Sequence, residues 1–153
     1  GVPAGIGDPV FGKLDAAFAQ SLMSIGAVKA VEIGDGVKVS TMKGSENNDP
    51  FITENGRISK ETNHAGGILG GMSDGSPIVF RAAIKPTPSI ARPQHTVKKD
   101  GTPIEISIQG RHDPIIVPRA VVVVESMAAL TILDLLMINM SARMDYLKKI
   151  CEL

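Results

Sequence analysis

The chain has 153 residues, enough for one domain with a buried core, and its 43% hydrophobic and 21% charged residues are typical of a folded globular protein. Disorder is therefore not expected. Lys plus Arg and Asp plus Glu each number 16, so the net charge is zero. Because no overall charge attracts the chain to nucleic acid or to an anionic membrane, we predict neither partner.

Cysteine and histidine usage restricts the function further. Cys151 is the single cysteine, so the sequence predicts no internal disulfide and a reducing, cytoplasmic location. The three histidines, His64, His95 and His112, lie far apart and outside any zinc-type motif, so we predict no metal site. The chain shows no signal peptide and begins with Gly1 rather than Met, which favours a piece of a longer protein.

The first predicted elements are a helix and a hairpin. Apolar residues recur every three or four positions over residues 8–25, which predicts an amphipathic helix. Five side chains are expected to face inward: Phe11, Leu14, Phe18, Leu22 and Ile25. Residues 28–33 alternate as a strand, residues 34–36 are typical of a tight turn, and residues 37–42 are expected to return as the partner strand.

Two stretches without clear periodicity follow. Residues 43–63 are polar, which predicts a mobile loop that is either an active-site flap or an inert connection. Residues 63–75 are rich in glycine but match neither the dinucleotide-binding pattern nor the phosphate-loop pattern. Their bare backbone suits either a flat aromatic ligand or the close packing of two chain segments, and the glycines alone do not decide between these.

A first polar cluster follows a predicted strand over residues 78–84. In Lys85-Pro86-Thr87-Pro88-Ser89 the prolines favour an extended backbone, so the side chains of Lys85, Thr87 and Ser89 fall on one side. One ammonium and two hydroxyls suit an anionic or polar ligand. The alternative is an edge strand that ends in a Pro-rich loop.

A second polar cluster, Gly110-Arg111-His112-Asp113-Pro114, follows a predicted strand over residues 104–108. Arg111 supplies a planar set of hydrogen-bond donors, and His112 and Asp113 can hold or move protons. The alternative is a surface turn with an Arg–Asp pair. The two clusters together favour a site. The segment 81–119 has four more positive than negative charges and no aromatic residue to stack on bases, so a small anion fits it better than DNA.

Residues 120–140 are almost continuously apolar. The stretch is long enough to span a membrane, but Glu125 and Asp134 lie within it, and a carboxylate near the centre of a bilayer costs about 2.5–3.5 kcal/mol. There is also no aromatic belt. We therefore predict a buried central helix rather than a transmembrane one.

Several of these motifs, in order and with matching spacing, resemble the chorismate synthase family. The matching segments are residues 1–11, 22–25, 27–29, 31–36, 44–46, 63–71, 85–90 and 110–114. The resemblance covers the chain from its first residue to about residue 140. It implies an α+β fold with helices sandwiched between antiparallel β-sheets, of which residues 1–153 form only the C-terminal half.

Members of that family convert 5-enolpyruvylshikimate 3-phosphate to chorismate by anti-1,4-elimination of phosphate, a lyase reaction of the shikimate pathway of aromatic amino acid biosynthesis. The reaction requires reduced FMN. The resemblance implies FMN contacts at Gly26, Ala27, Gly70, Lys85, Pro86, Thr87, Pro88, Ser89 and Arg111, and catalytic roles for Asp113 and His112. It also implies a homotetramer, with the flavin reduced either by NADPH on the enzyme or externally.

The family's N-terminal half, which carries two proton-handling histidines and an arginine cluster for the substrate, has no counterpart in this sequence. We therefore expect a C-terminal half that is inactive alone and works with its N-terminal half. Two other functions also fit the residues: a non-enzymatic packing or oligomerisation domain, and a small FMN-binding protein for electron transfer.

Overall fold

The fold consists of three helices and eight short strands in the described part of the chain. The structure is a computed structural model that describes residues 1–111 and 113–151. The helices are α1 Leu14–Met23, α2 Val117–Ser141 and α3 Met144–Cys151, and a 3-10 helix spans Gly36–Thr41. The strands are β1 Val28–Ile33, β2 Phe51–Glu54, β3 Arg57–Lys60, β4 Ile68–Leu69, β5 Met72–Ser73, β6 Phe80–Ile84, β7 Gln94–Val97 and β8 Pro103–Ile106.

The described strands pair antiparallel in four two-stranded sheets, β1–β6, β2–β3, β4–β5 and β7–β8. Three of these sheets are hairpins of neighbouring strands, whereas β1 and β6 are brought together from distant parts of the sequence. Helices beside separate antiparallel sheets confirm the α+β class.

The core forms where α1 packs between the β1–β6 sheet and α2. Leu14, Phe18 and Leu22 have no exposed surface, because a spacing of four residues places them on one side of the helix. The Phe18 ring stacks on Phe80 of β6 with 5.4 Å between ring centroids. Burying each such side chain contributes about 1.5–3 kcal/mol. The inward prediction for these three residues is therefore confirmed.

Helix α1 begins at Leu14 rather than at Asp8, and the inward prediction for Phe11 is wrong. Phe11 is 99% exposed, because the chain before α1 makes a turn in which the Asp8 N–H donates to the Gly12 carbonyl oxygen at 2.8 Å. The Leu14 N–H donates a hydrogen bond to the Gly71 carbonyl oxygen, also at 2.8 Å, so the glycine-rich segment fixes the first helical turn.

Residues 37–42 do not form the predicted partner strand of β1. The Glu32 side chain accepts the Val37 N–H at 3.1 Å, and the chain turns into the 3-10 helix at Gly36, where φ is +58°. Strand β1 pairs with β6 instead. The alternation of Val37 and Val39 suggested a strand, but both side chains are exposed.

The polar stretch 43–63 contains the hairpin β2–β3. Its turn is Asn55-Gly56, with φ of +52° and +74°, which is the strongest short signal for a two-residue hairpin turn. This signal lies inside the predicted loop, so the stretch includes two paired strands. Whether the segment moves as a flap stays a prediction.

The prediction that residues 120–140 are buried is wrong for this chain. One side of α2 packs on the core through Val124, Met127, Ala128 and Ile132, but among the described residues of the helix Ala128 alone is buried. Val122, Leu133 and Met137 on the other side are 64%, 51% and 62% exposed. By length and composition alone, α2 would also pass for a membrane-spanning helix.

We predict that the isolated chain self-associates and binds a hydrophobic dye, because an apolar helix face of this size is rarely left in water. Leu133→Glu should weaken the association measured by sedimentation, since it places a charge in the exposed face. Val37→Glu is the matched control, because Val37 is 73% exposed but lies in the 3-10 helix rather than in α2. A wild-type chain that sediments as a monomer and does not bind the dye would contradict the prediction.

Candidate active site

The first polar cluster follows β6 directly, as the sequence predicts. The side chains alternate in exposure: Lys85, Pro86 and Pro88 are exposed, whereas Thr87 and Ser89 are half-buried. The Gln94 side-chain amide donates to the Pro88 carbonyl oxygen at 3.1 Å, which ties the cluster to β7. Thr87 and Ser89 are therefore more enclosed by the protein than Lys85.

A single backbone hydrogen bond joins two of the predicted flavin-binding segments. The Lys85 N–H donates to the carbonyl oxygen of Ala27 at 2.7 Å, although the two residues are far apart in sequence. The bond follows the last pair of the β1–β6 ladder, Val28 and Ile84. The structure thus brings Gly26 and Ala27 to the start of the Lys85–Ser89 segment.

The glycine-rich segment has features that suit both of the uses that the sequence allows, the close packing of two chain segments and contact with a flat ligand. A Cβ on Gly67 would lie 2.6 Å from the Pro77 carbonyl oxygen, and one on Gly66 would overlap the backbone of Gly34, so these two glycines permit close packing. Gly70 differs. It sits in the turn between β4 and β5 at φ +60°, and a Cβ built there meets no atom within 4 Å. Its backbone is therefore open to a ligand.

The second polar cluster lies in the irregular chain between β8 and α2. Strand β8 ends at Ile106, earlier than predicted, so it does not lead directly into the cluster. Arg111 is exposed and Asp113 is half-buried. Asp113 forms an ion pair with Arg119 at 3.0 Å, and Arg119 lies in the first turn of α2. The predicted catalytic residue His112 lies outside the described residues.

The predicted residues do not all meet in one described pocket. No hydrogen bond or ion pair within residues 1–111 and 113–151 joins Gly70 or Arg111 to the Ala27–Lys85 pair. A cleft of about 450 Å³ lies instead beside the β2–β3 hairpin, lined by Phe51, Ile58, Lys60, Asn63, Asp74 and Pro77 among others. None of the predicted site residues lines it.

A polar network that no sequence motif indicated holds the start of the glycine-rich segment. His64 Nδ1 lies 2.7 Å from Asp35 Oδ2, and the hydrogen bond to His64 keeps the pKa of Asp35 below its ordinary value. Asp49 accepts the backbone N–H groups of His64 and Ala65 at 2.8 and 2.9 Å. Burial raises the pKa of Asp49, but these backbone bonds, the Thr62 hydroxyl and the nearby Lys60 charge together keep it below its ordinary value. No regular spacing in the sequence connects these residues.

A buried ion pair between Lys60 and Asp74 anchors the base of the β2–β3 hairpin. The two side chains are 5% and 11% exposed, and the ammonium also lies 5.8 Å from the centroid of the Phe51 ring. Burial raises the pKa of Asp74, but hydrogen bonds from Lys60 and Ser76 outweigh it and lower the pKa. No cluster of three or more His, Cys, Asp or Glu residues within the described ranges is suited to hold a metal.

These features define an α+β protein in which donor-rich loops follow short strands beside a long apolar helix. The sequence matches the family described as chorismate synthase over residues 1–137. The chain belongs to the chorismate synthase family.

Individual relatives agree with this assignment. The chain is 68% identical over 145 residues to the chorismate synthase of Agathobacter rectalis and 67% identical over 153 residues to that of Lachnoclostridium phytofermentans. These matches cover 95% and 99% of this chain. A crystal structure of chorismate synthase is similar over 99% of this chain, with 31% identity and a TM-score of 0.69.

The chain is much shorter than these relatives. It spans 40% and 42% of the two curated proteins and 38% of the chain in the crystal structure. More than half of each relative therefore has no counterpart in these 153 residues.

We predict that the Lys60–Asp74 pair contributes stability that acid removes. Because the pKa of Asp74 is lower in the folded chain than in the unfolded one, this contribution is present above the unfolded pKa of about 3.9 and is lost as the pH falls towards the folded value. Lys60→Met should cost about 3–5 kcal/mol at neutral pH, because it leaves a buried carboxylate unpaired. It should also flatten the loss of stability with falling pH in urea unfolding curves.

Lys38→Met is the matched control for that substitution. Lys38 is 69% exposed and lies 3.9 Å from Asp35, so its loss should leave the free energy of unfolding nearly unchanged. Equal effects of the two substitutions would show that the burial of the Lys60–Asp74 pair does not matter.

Proposed function

We propose that this chain is the flavin-binding C-terminal part of a chorismate synthase, which converts 5-enolpyruvylshikimate 3-phosphate to chorismate. The reaction removes phosphate and a proton from the substrate and forms a carbon–carbon double bond. Membership of the family supports the reaction. The observation that carries the local assignment is the Ala27–Lys85 hydrogen bond, because it joins two segments that the family resemblance assigns separately to the flavin.

The donor set is suited to FMN. The flavin carries an anionic phosphate and a flat ring with polar edges, and the chain offers an ammonium at Lys85, hydroxyls at Thr87 and Ser89, and a guanidinium at Arg111. The open backbone at Gly70 permits the close approach of a flat ring. When bound, the reduced flavin supplies an electron-rich ring beside the substrate without net oxidation of either.

Asp113 is proposed to handle the proton. Arg119 holds Oδ2 of Asp113, and Oδ1 is then the proposed proton acceptor. The ion pair with Arg119 keeps the Asp113 carboxylate in one orientation before the substrate binds. We propose that His112 shares this task.

The remaining assignments are proposals that follow from the family. The substrate is the anionic 5-enolpyruvylshikimate 3-phosphate, the partner is the N-terminal half of the same enzyme, and the assembly is a homotetramer in the cytoplasm. Reduced FMN is the cofactor, and NADPH is the first reductant to test. A packing domain or a small electron-transfer flavoprotein is the alternative, and each would lack the elimination activity.

We predict that the 153-residue chain alone has no chorismate-forming activity. Catalysis requires the substrate and the flavin to be held together, and the residues that clamp the substrate are expected on the N-terminal half. Adding a matching N-terminal half under anaerobic conditions with reduced FMN should restore turnover, measured by chorismate absorbance. Turnover by the purified chain without that addition would contradict the prediction.

We predict that Arg111→Ala in the complete enzyme weakens FMN binding by roughly ten- to a hundredfold. The loss of one charge-assisted hydrogen bond costs about 1.5–3 kcal/mol, which corresponds to that range. Thr87→Val should weaken binding less, since it removes a neutral donor. Arg57→Ala on the β2–β3 hairpin is the control for a lost surface charge and should leave the Kd unchanged. An unchanged Kd for a folded Arg111→Ala variant would show that Arg111 does not bind FMN.

We predict that Asp113→Asn lowers the rate by about 10²–10⁴, the usual contribution of a positioned acid or base, while FMN and substrate still bind. Asn keeps the shape of Asp and removes its basicity. Stopped-flow measurement of a single turnover at saturating flavin separates the rate from binding.

Arg119→Gln is the companion to that variant. If Asp113 serves only as the ion-pair partner of Arg119, both variants should lose stability or flavin affinity, and the rate at saturating flavin should stay near that of the wild type. That result would end the proposed catalytic role of Asp113.

A further inference from the structure

The turn that leads from α1 into β1 has an unusual backbone at Ala27. The Val28 N–H donates to the Ile25 carbonyl oxygen at 3.2 Å, which closes a four-residue turn, and Ala27 is its third residue, with φ +70°. A positive φ at that position normally selects Gly or Asn. Ala27 is one of two such residues other than glycine in the described chain, the other being Asn55. A backbone conformation that is unfavourable for the residue type persists only where the surrounding structure holds it.

The surroundings fix this turn from both ends. Val28 is 2% exposed, and Ile25 is half-buried and packs against the core formed by Leu14, Phe18 and Leu22. The two ends of the turn are therefore held by side chains that pack in the core. The part between these anchors is open to solvent, because Gly26 is exposed and a Cβ built on it would meet no atom within 4 Å.

Ala27 also determines where the Lys85–Ser89 segment begins. The Lys85 N–H bonds to the Ala27 carbonyl oxygen one step beyond the last ladder pair, Val28 and Ile84. The register of β1 shifts between Val28 and Ala30, so the end of the sheet is bulged at this point. Bulges of this kind redirect side chains and are frequent next to active sites. The Ala27 carbonyl oxygen thus binds the first backbone N–H of the chain that leaves β6.

We propose that Ala27 is a positioning residue that pre-orients the Lys85–Ser89 segment for the flavin through its strained backbone and its carbonyl group. The inference rests on the proposed function, because the ligand is the flavin assigned there. Glycine in place of Ala27 would relieve the strain, but two consecutive glycines would let the carbonyl point in several directions. The segment that begins at Lys85 would then become ordered only when the flavin binds, and the cost of that ordering lowers the affinity.

The test compares Ala27→Gly with Asn55→Gly in the complete enzyme. Both substitutions place glycine at a positive φ, so neither should lower the melting temperature. Asn55 lies in the turn of the β2–β3 hairpin, which pairs with no other described strand. We expect Ala27→Gly to raise the Kd for FMN by about 3- to 10-fold, mainly through faster dissociation, and Asn55→Gly to leave the Kd unchanged.

The possible results separate this inference from the function on which it rests. If the wild-type enzyme does not bind FMN, the proposed function itself fails. If it binds FMN and Ala27→Gly binds equally well, the positioning role is wrong and the function is untouched. The role is equally overturned if Ala27→Gly lowers the melting temperature or if Asn55→Gly weakens binding as much, because either result would indicate a general structural effect.

Discussion

The burial of one side of α1 determines how the rest of this chain is arranged. Leu14, Phe18 and Leu22 are completely enclosed, and Phe18 stacks on Phe80 of β6. This contact packs β6 on α1, and β6 is in turn paired with β1 although the two strands are far apart in sequence. The end of β6 is where the Lys85–Ser89 segment begins, so a hydrophobic contact in the core fixes the location of the polar cluster.

Close backbone packing supplies a second constraint. The Gly34 N–H donates to the Val79 carbonyl oxygen at 2.8 Å, and the glycine-rich segment crosses this region at Gly66 and Gly67. The His64–Asp35 contact and the hydrogen bonds to Asp49 hold the crossing in place. Because side chains would not fit between these backbones, packing explains the glycines at the crossing, whereas the open turn at Gly70 has no such neighbour.

Local patterns in the sequence predicted some of this fold well. The spacing of Leu14, Phe18 and Leu22 is sufficient to find the buried side of α1, and alternation finds β1 and β8. Strand β6 lies within the strand predicted over residues 78–84. Alternation gives the wrong structure at residues 37–42, because the Val37 N–H donates a hydrogen bond to the Glu32 carboxylate and the chain forms a 3-10 helix there. The start of α1 after Phe11 depended on a backbone bond to Gly71, which no periodicity reveals.

The candidate site was predictable as motifs and not as geometry. Residue type indicates the two polar clusters, and several motifs in order indicate the family, which the match over residues 1–137 confirms. That Ala27 would meet Lys85, or that Asp113 would pair with Arg119, depends on how distant strands and helices pack. The exposure of α2 was missed for a similar reason, because its composition indicates that it will be covered but not which part of the protein covers it.

The division into four small sheets has a consequence for cooperativity. The β1–β6 sheet lies against α1 and the fully buried side chains, and it should open only with the whole molecule. The β2–β3 and β7–β8 hairpins have mostly exposed residues, so their amide hydrogens should exchange through local opening at much lower free energy. The β7–β8 hairpin, which lies between the two polar clusters in the sequence, can therefore rearrange around a ligand while the core stays folded.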